Sequence, residues 1–211
     1  RGRGYEAGKG GVWVSNAGTQ NGAPGQAIIR VQASTATIVS SFPASDPFDV
    51  YVLPSGNLLV SDIISDDILE YTTGGTLVGT WGVGPGLNFP QQINTLGSNY
   101  IVAGFSTTAG VYEFSNTGSY IQTYATGVGP RGVIELDDGS FIVSSGTNVI
   151  RVSGGVPTTI ISLAGSSFQY FARVTLSDGG SACPSDFNGD TFVDDSDFVV
   201  FAAAYEAFVC P

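Results

Sequence analysis

The chain has 211 residues, a net charge of -11, and neither histidine nor methionine. A chain this acidic has no general electrostatic attraction for nucleic acid or for anionic membranes. The lack of histidine excludes a Ser-His-Asp triad and any zinc site with histidine ligands. The first residue is Arg1 rather than methionine, from which we expect a secreted protein that has been processed.

The chain begins with a glycine-rich, basic stretch over residues 1–9. We expect this stretch to be a loose N-terminal arm, as chain ends commonly are. From residue 10 to residue 180 the pattern changes to short apolar runs between glycine-rich turns, which is typical of strands rather than helices.

These apolar runs repeat at a spacing of about forty residues. Val12–Ser15, Leu58–Ser61, Tyr100–Ala103 and Phe141–Ser144 are versions of one strand. In the later units a further strand and a tight turn precede it, and in all units two more strands follow it. Four strands in a unit of this length predict the blades of a β-propeller. We therefore expect an all-β fold: a small propeller of about four four-stranded blades over residues 10–180.

The start of each unit, Pro-x-x-Val/Ile followed by a turn glycine, resembles that of NHL-like bacterial propellers. The resemblance covers about residues 10–180 and implies a ring of blades. A β-sandwich or a β-solenoid with coincidental spacing is the alternative.

The first unit lacks its innermost strand, and a matching strand occurs at the other end, at Tyr170–Leu176. We expect this C-terminal strand to close the ring by completing the first blade. In the alternative, it completes the blade of a second subunit, which gives a dimer or an open polymer.

Residues 181–211 contain a calcium-loop pattern. Oxygen-bearing side chains occupy loop positions 1, 3, 5, 9 and 12, and position 7 offers a backbone carbonyl, which is the ligand order of an EF-hand-type loop. The predicted ligands are Asp186, Asn188, Asp190, Phe192, Asp194 and Asp197. The alternative is a helix N-terminus capped by these residues without a metal.

Two cysteines, Cys183 and Cys210, flank this loop, and we expect one disulfide in an oxidising compartment, with two free thiols as the alternative. An apolar stripe at helical spacing follows the loop and needs a packing partner. We expect its aromatic members to form an interaction surface: Phe198, Phe201, Tyr205 and Phe208.

This segment resembles half of a type I dockerin, and more closely the dockerin-like tails of secreted planctomycete proteins. The resemblance implies bound calcium and rests on Cys183, Pro184, the loop, and Asp197 at position 12. Two departures from the pattern weaken, in turn, the implied calcium affinity and the implied cohesin recognition. Thr191 stands where glycine normally makes the turn, and only one loop is present.

Few residues suggest catalysis. Asp62 with Asp66 and Asp67, and Asp137 with Asp138, are paired carboxylates, but we expect them in solvated loops and turns. The aromatic residues Trp13, Trp81 and Tyr100 could line a sugar site, although strand aromatics more often form core.

We therefore expect a non-catalytic, secreted structural or adhesive protein at the surface of a bacterium. It would be stabilised by calcium and would associate with itself, and a head-to-tail filament is one such assembly. The alternative is a monomeric propeller that binds a glycan or a protein and is anchored by its tail.

The calcium loop can be tested by thermal unfolding. Asp186→Ala or Asp190→Ala removes a ligand, so the variant should melt at a lower temperature than the parent in calcium. In a chelator the two should melt together, and an equal loss in both conditions would show that the loop binds no metal.

Overall fold

The computed structural model describes residues 3–6, 11–18, 24–127 and 129–173. The chain divides into two compact units, residues 1–172 and residues 173–211. All that follows concerns the first unit, since only Arg173 of the second is described. In the described residues the protein is all-β, and no helix there is long and apolar enough to cross a bilayer.

The strands follow one another along the chain with short turns between them. They are β1 (Arg3–Glu6), β2 (Gly11–Asn16), β3 (Ala27–Gln32), β4 (Thr37–Pro43), β5 (Pro47–Val52), β6 (Leu58–Asp62), β7 (Asp67–Tyr71), β8 (Leu77–Gly82), β9 (Pro90–Leu96), β10 (Asn99–Gly104), β11 (Gly110–Phe114), β12 (Tyr120–Tyr124), β13 (Pro130–Glu135), β14 (Phe141–Ser145), β15 (Asn148–Ser153) and β16 (Val156–Ser162).

Each set of four consecutive strands forms one antiparallel sheet. The first sheet holds β1 to β4, the second β5 to β8, the third β9 to β12 and the fourth β13 to β16. This arrangement confirms the predicted all-β fold with four four-stranded blades. The repeated element read from the sequence is the second strand of each blade, namely β2, β6, β10 and β14.

The innermost strands of successive sheets, β1, β5, β9 and β13, contact one another. This places the start of each blade towards a common axis, as in a propeller. β1 was not expected, because residues 1–9 were predicted to form a loose arm. In the structure, residues 3–6 pair with β2, with Arg3 opposite Val14 and Glu6 opposite Gly11.

The innermost position of the first sheet is thus filled from the N-terminus and not by the predicted strand at 170–176. Residues 170–173 are described and lie outside any strand. The physical reason is that β1 and β2 are close in sequence, so pairing them closes a far shorter loop than recruiting a strand about 160 residues away.

Three apolar clusters fill the spaces between successive sheets in the described residues. The first lies between sheets one and two, the second between sheets two and three, and the third between sheets three and four. Trp13 and Tyr100 are buried within them, and Trp81 packs edge-on against Tyr100. The prediction that these strand aromatics form core is therefore confirmed.

Gly118 lies where the β11–β12 turn meets the second sheet. Its φ is +84°, and a Cβ there would overlap the carbonyl oxygen of Trp81. Gly139, in the β13–β14 turn, has a similar φ of +78° but no atom within 4 Å of the added carbon. Alanine at Gly139 would therefore add backbone strain alone, whereas alanine at Gly118 would add strain and steric overlap.

We expect Gly118→Ala to destabilise the fold by about 2–4 kcal/mol, since overlap is added to the strain of a positive φ. Gly139→Ala should cost only about 1 kcal/mol, from strain alone. Urea denaturation of both variants measures the difference. Equal losses would mean that the second and third sheets are not packed closely at this turn.

Candidate functional site

The innermost strands of sheets two, three and four begin with the same pattern. Pro47–Val50, Pro90–Ile93 and Pro130–Val133 each read Pro-x-x-Val/Ile. In all three sheets a shift of register falls within this pattern. Such a bulge interrupts the ladder of backbone hydrogen bonds and re-aims nearby side chains.

In the second and fourth sheets a repeated serine satisfies the backbone at this bulge. The Ser61 Oγ accepts a hydrogen bond from the Asp49 N–H at 2.8 Å, and the Ser144 Oγ accepts one from the Gly132 N–H at 2.7 Å. A buried amide left without a partner would cost about 1–3 kcal/mol. The serine that ends the repeated Val-Ser element therefore holds the bulge in place.

Side chains at the third position of the pattern join each sheet to the next. The Asp49 Oδ2 accepts a hydrogen bond from the Ile93 N–H at 2.8 Å, and the Gln92 Oε1 accepts one from the Val133 N–H at 3.1 Å. The innermost strands are therefore held by directed bonds as well as by apolar packing.

The segment after β16 returns across this end of the innermost strands. The Ser144 Oγ donates to the carbonyl of Gln169. Gln92 exchanges two hydrogen bonds with Phe171: its Nε2 donates to the Phe171 carbonyl at 2.8 Å, and its Oε1 accepts from the Phe171 N–H at 3.2 Å. These bonds hold the residues on either side of Tyr170 against the third and fourth sheets.

Three polar side chains converge at this end. The Arg131 Nη1 donates to the Gln91 Oε1 at 3.2 Å, and the Tyr170 hydroxyl lies 3.4 Å from the same oxygen. Gln91 is fully buried, whereas Arg131 is half-buried and Tyr170 is 40% exposed. The buried Gln91 amide thus positions the Arg131 guanidinium and the Tyr170 hydroxyl at the surface, where the innermost strands begin.

Three half-buried phenylalanines surround these polar groups. The Arg131 guanidinium lies 4.0 Å from the centroid of the Phe105 ring, and the Phe105 ring is 5.8 Å from that of Phe89. Phe48 lies 6.4 Å from Phe89 and 5.6 Å from Tyr170. We call Gln91, Arg131, Tyr170, Phe48, Phe89 and Phe105 the axial cluster.

The axial cluster combines an oriented cation, a phenolic proton donor and an apolar wall. Such a setting suits a small ligand with a polarisable oxygen, because the guanidinium can stabilise negative charge where water is partly excluded. No member of this cluster was predicted from the sequence as a site residue. The sequence feature that could have indicated the cluster is the second position of the Pro-x-x-Val/Ile pattern. That position varies between sheets and holds Phe48, Gln91 and Arg131.

The acidic residues around the β6–β7 turn have a structural role. Asp62 is 2% exposed, contrary to the expected solvated loop, and its Oδ1 accepts from the N–H groups of Ile64 and Ser65. Burial raises the pKa of Asp67, and the carboxylates of Asp62 and Asp66 raise it further.

Asp66 connects this turn to the axial cluster. Its Oδ1 accepts from the Phe89 N–H at 2.8 Å, and its Oδ2 accepts from the Asn88 amide at 2.9 Å. These bonds fix the segment that carries the Phe89 ring. In the part of the chain that is described, no group of three or more acidic, cysteine or histidine side chains could hold a metal ion.

Asp137 and Asp138 lie in the β13–β14 turn, as predicted. Asp138 accepts hydrogen bonds from the Ser140 N–H and hydroxyl and forms an ion pair with Arg151. The Ser140 hydrogen bonds lower the pKa of Asp138, and the Arg151 charge adds to the effect. The contacts of Asp138 with Ser140 and Arg151 therefore stabilise the turn.

A separate cavity of about 290 Å³ lies between the third and fourth sheets, lined by uncharged residues that include Gln122, Tyr124 and Phe141. Beside it, Glu113 is buried and accepts hydrogen bonds from Tyr124 and Gln122, at 2.7 and 2.9 Å, and from Asn99 at 2.7 Å. Burial raises the pKa of Glu113, but these three hydrogen bonds outweigh it, so the pKa is lowered overall.

The sites predicted in the C-terminal module lie outside the described residues. They are the calcium ligands Asp186, Asn188, Asp190, Phe192, Asp194 and Asp197, the cysteines Cys183 and Cys210, and the aromatic residues Phe198, Phe201, Tyr205 and Phe208. Calcium binding, the disulfide and the extracellular location stay predictions.

No protein-family profile matches the chain, and no curated protein sequence matches it. Solved structures do match. A virginiamycin B lyase from Staphylococcus aureus superposes with a TM-score of 0.56 at 17% identity, over 73% of this chain and 53% of that chain. The hydrazine synthase of Kuenenia stuttgartiensis gives 0.60 at 18% identity, over 75% of this chain and 48% of that chain.

A gluconolactonase from Xanthomonas campestris gives a TM-score of 0.55 at 15% identity, over 69% of this chain and 58% of that chain. The chain thus spans about half the length of the solved structures it matches. Identities this low establish the β-propeller fold and leave the reaction open.

The comparisons contradict the expectation of a non-catalytic structural or adhesive protein. The lyase and the gluconolactonase are enzymes built on the same propeller fold. The expectation was drawn from the lack of histidine and from scattered carboxylates. It overlooked the axial cluster, whose members are far apart in sequence and meet only through the stacking of sheets.

The buried carboxylate of Glu113 gives a pH prediction. A pKa below the unfolded value, about 4.3, means that Glu113 stabilises the fold above that pH. This stabilisation is lost as the pH falls through the lower, folded value.

Glu113→Gln should therefore unfold more easily near neutral pH, and its free energy of unfolding should fall less steeply than that of the parent on acidification. Urea titrations from about pH 7 to pH 3 would measure both. Parallel pH curves for parent and variant would contradict the prediction.

Proposed function

We propose that this protein is an enzyme whose site is the axial cluster and whose substrate is a small uncharged molecule with an ester carbonyl, most simply a cyclic ester. The observation that carries the proposal is the placement of Arg131. Its guanidinium is held by the Gln91 amide oxygen on one side and by the Phe105 ring on the other.

An ester carbonyl gains negative charge on its oxygen when water adds to its carbon. A guanidinium that is already oriented stabilises this charge without having to reorganise during the reaction. Stacking on Phe105 and bonding to Gln91 restrict the Arg131 side chain to one position. In this proposal Arg131 binds the carbonyl oxygen of the substrate.

Tyr170 lies on the other side of the same amide oxygen and is partly open to solvent. Its hydroxyl would give a proton to the alcohol oxygen released when the ring C–O bond breaks, and the resulting phenolate would take up the proton that the added water loses. Phe48 and Phe89 would exclude water from the apolar part of the substrate. The product would be a hydroxy acid.

Two comparisons bear on this proposal. The gluconolactonase is named for a lactone, which is a cyclic ester. A structure of the Staphylococcus aureus lyase is described as a catalytically inactive variant with alanine in place of a histidine. Since the present chain has no histidine, its chemistry would depend on other groups, and Arg131 and Tyr170 supply them.

For the remainder of the chain we propose the finer likenesses drawn from the sequence, namely NHL-like repeats and a dockerin-like tail that binds calcium outside the cell. The oxygen-bearing pattern from Asp186 to Asp197, bracketed by Cys183 and Cys210, supports the tail. In this proposal calcium stabilises the tail and takes no part in the reaction.

The proposed activity can be tested with glucono-δ-lactone as the probe. Acid release by the full chain should exceed the spontaneous rate in the same buffer. Arg131→Gln should lower kcat/KM by about 10²- to 10³-fold, because a donor to the developing oxyanion is removed. A pH-stat measures both rates.

Arg151→Gln is the matched control, since Arg151 is also half-buried but lies in β15, where it pairs with Asp138 of the β13–β14 turn. Its activity should equal that of the parent. A parent rate no faster than the spontaneous one over a panel of lactones and esters would overturn the proposal. So would an Arg131→Gln variant that is folded and fully active.

A further inference from the structure

The outermost strands of the four sheets share an unusual surface. β4, β8, β12 and β16 each pair with a strand on one side only. They carry nine of the thirteen large hydrophobic side chains that are exposed in the described residues: Ile38, Val39, Leu77, Val78, Tyr120, Ile121, Val156, Ile160 and Ile161. We call these four strands the rim.

The rim carries no charge. Not one Asp, Glu, Lys or Arg occurs in β4, β8, β12 or β16. An outermost strand presents a row of unpaired backbone N–H and C=O groups, and proteins normally protect such edges with charged side chains, above all lysine. This chain omits that protection on every described outer edge.

β4 and β16 are the most open of the four edges, but β16 contains Pro157, which cannot donate a hydrogen bond to a partner strand. β4 is therefore the better edge for pairing. Residues 33–41 are all exposed, and residues 31–45 contain no charged side chain. Ile38 and Val39 are 49% and 54% exposed. Proline occurs only at the end of β4, as Pro43, and the bulge opposite Arg30 and Val31 is the one feature that interrupts its edge.

We propose that β4 is an interaction surface for a second copy of this chain, with two β4 edges pairing antiparallel across a two-fold axis. Each edge then supplies the backbone partners that the other lacks. A two-fold contact uses the same strand on both subunits, so it ends at a dimer and does not propagate.

The charge of the chain favours a second copy at this place. With a net charge of -11, two copies repel each other over most of their surfaces. The uncharged stretch 31–45 lets two copies approach without like charges face to face. A strongly basic partner, in contrast, would find no carboxylate on β4 to bind.

The test measures the oligomeric state of the full chain by sedimentation velocity over a wide range of concentrations. The parent should show a concentration-dependent monomer–dimer equilibrium. Ile38→Lys places two like charges in the two-fold contact and should raise the dimer dissociation constant at least about tenfold. Hydrogen exchange of residues 37–43 should slow as the dimer forms.

Ile64→Lys is the matched control, because Ile64 is 70% exposed in the β6–β7 turn and away from the rim. It should dimerise as the parent does, and circular dichroism should show both variants folded. A parent that stays monomeric at all concentrations would overturn the proposal. Dimers unaffected by Ile38→Lys, or disrupted only by lysine in another rim strand, would also overturn it.

Discussion

The structure depends on burying both faces of β6, β10 and β11, which lie in the two sheets that pack against a described neighbour on each side. β6 shows this directly: all five of its residues are buried, with Leu58 and Val60 facing the first sheet and Leu59 facing the third. A sheet with two apolar faces has no stable existence alone, so each blade requires neighbours. Residue volumes are correspondingly constrained, and Gly118 lies so close to Trp81 that no Cβ fits.

The same stacking creates the axial cluster. Proline and a bulge begin β5, β9 and β13, a serine satisfies the bulges of β5 and β13, and Asp49 and Gln92 tie these three strands together. These bonds fix the backbone around the axis, while the side chains at the second position of the pattern are free to vary. Phe48, Gln91 and Arg131 therefore differ in chemistry although they occupy equivalent positions. The residues that hold the backbone are thus distinct from the second-position residues, which determine the side chains of the axial cluster.

The solved propellers that resemble this chain include enzymes, yet this chain lacks the histidine whose replacement inactivates one of them. A shared fold with a different set of reactive groups is common among propellers and similar scaffolds. The Arg131 guanidinium and the Tyr170 hydroxyl both contact the buried amide oxygen of Gln91. Neither residue is near Gln91 in the sequence. The role of Gln91 follows only from the approach of the β9 and β13 strands and of the segment after β16.

The sequence by itself determined the all-β class, the four-stranded unit and the positions of its strands, because alternation and turn residues are local and repeat about every forty residues. It also indicated that Trp13 and Tyr100 are core and that Asp138 belongs to a turn. Only the tertiary structure decided that residues 3–6 complete the first sheet, that Asp62 is buried, and that Gln91, Arg131 and Tyr170 meet. The last of these outcomes depends on contacts between residues up to 79 positions apart. No periodicity encodes such contacts, since they arise from how complete sheets stack.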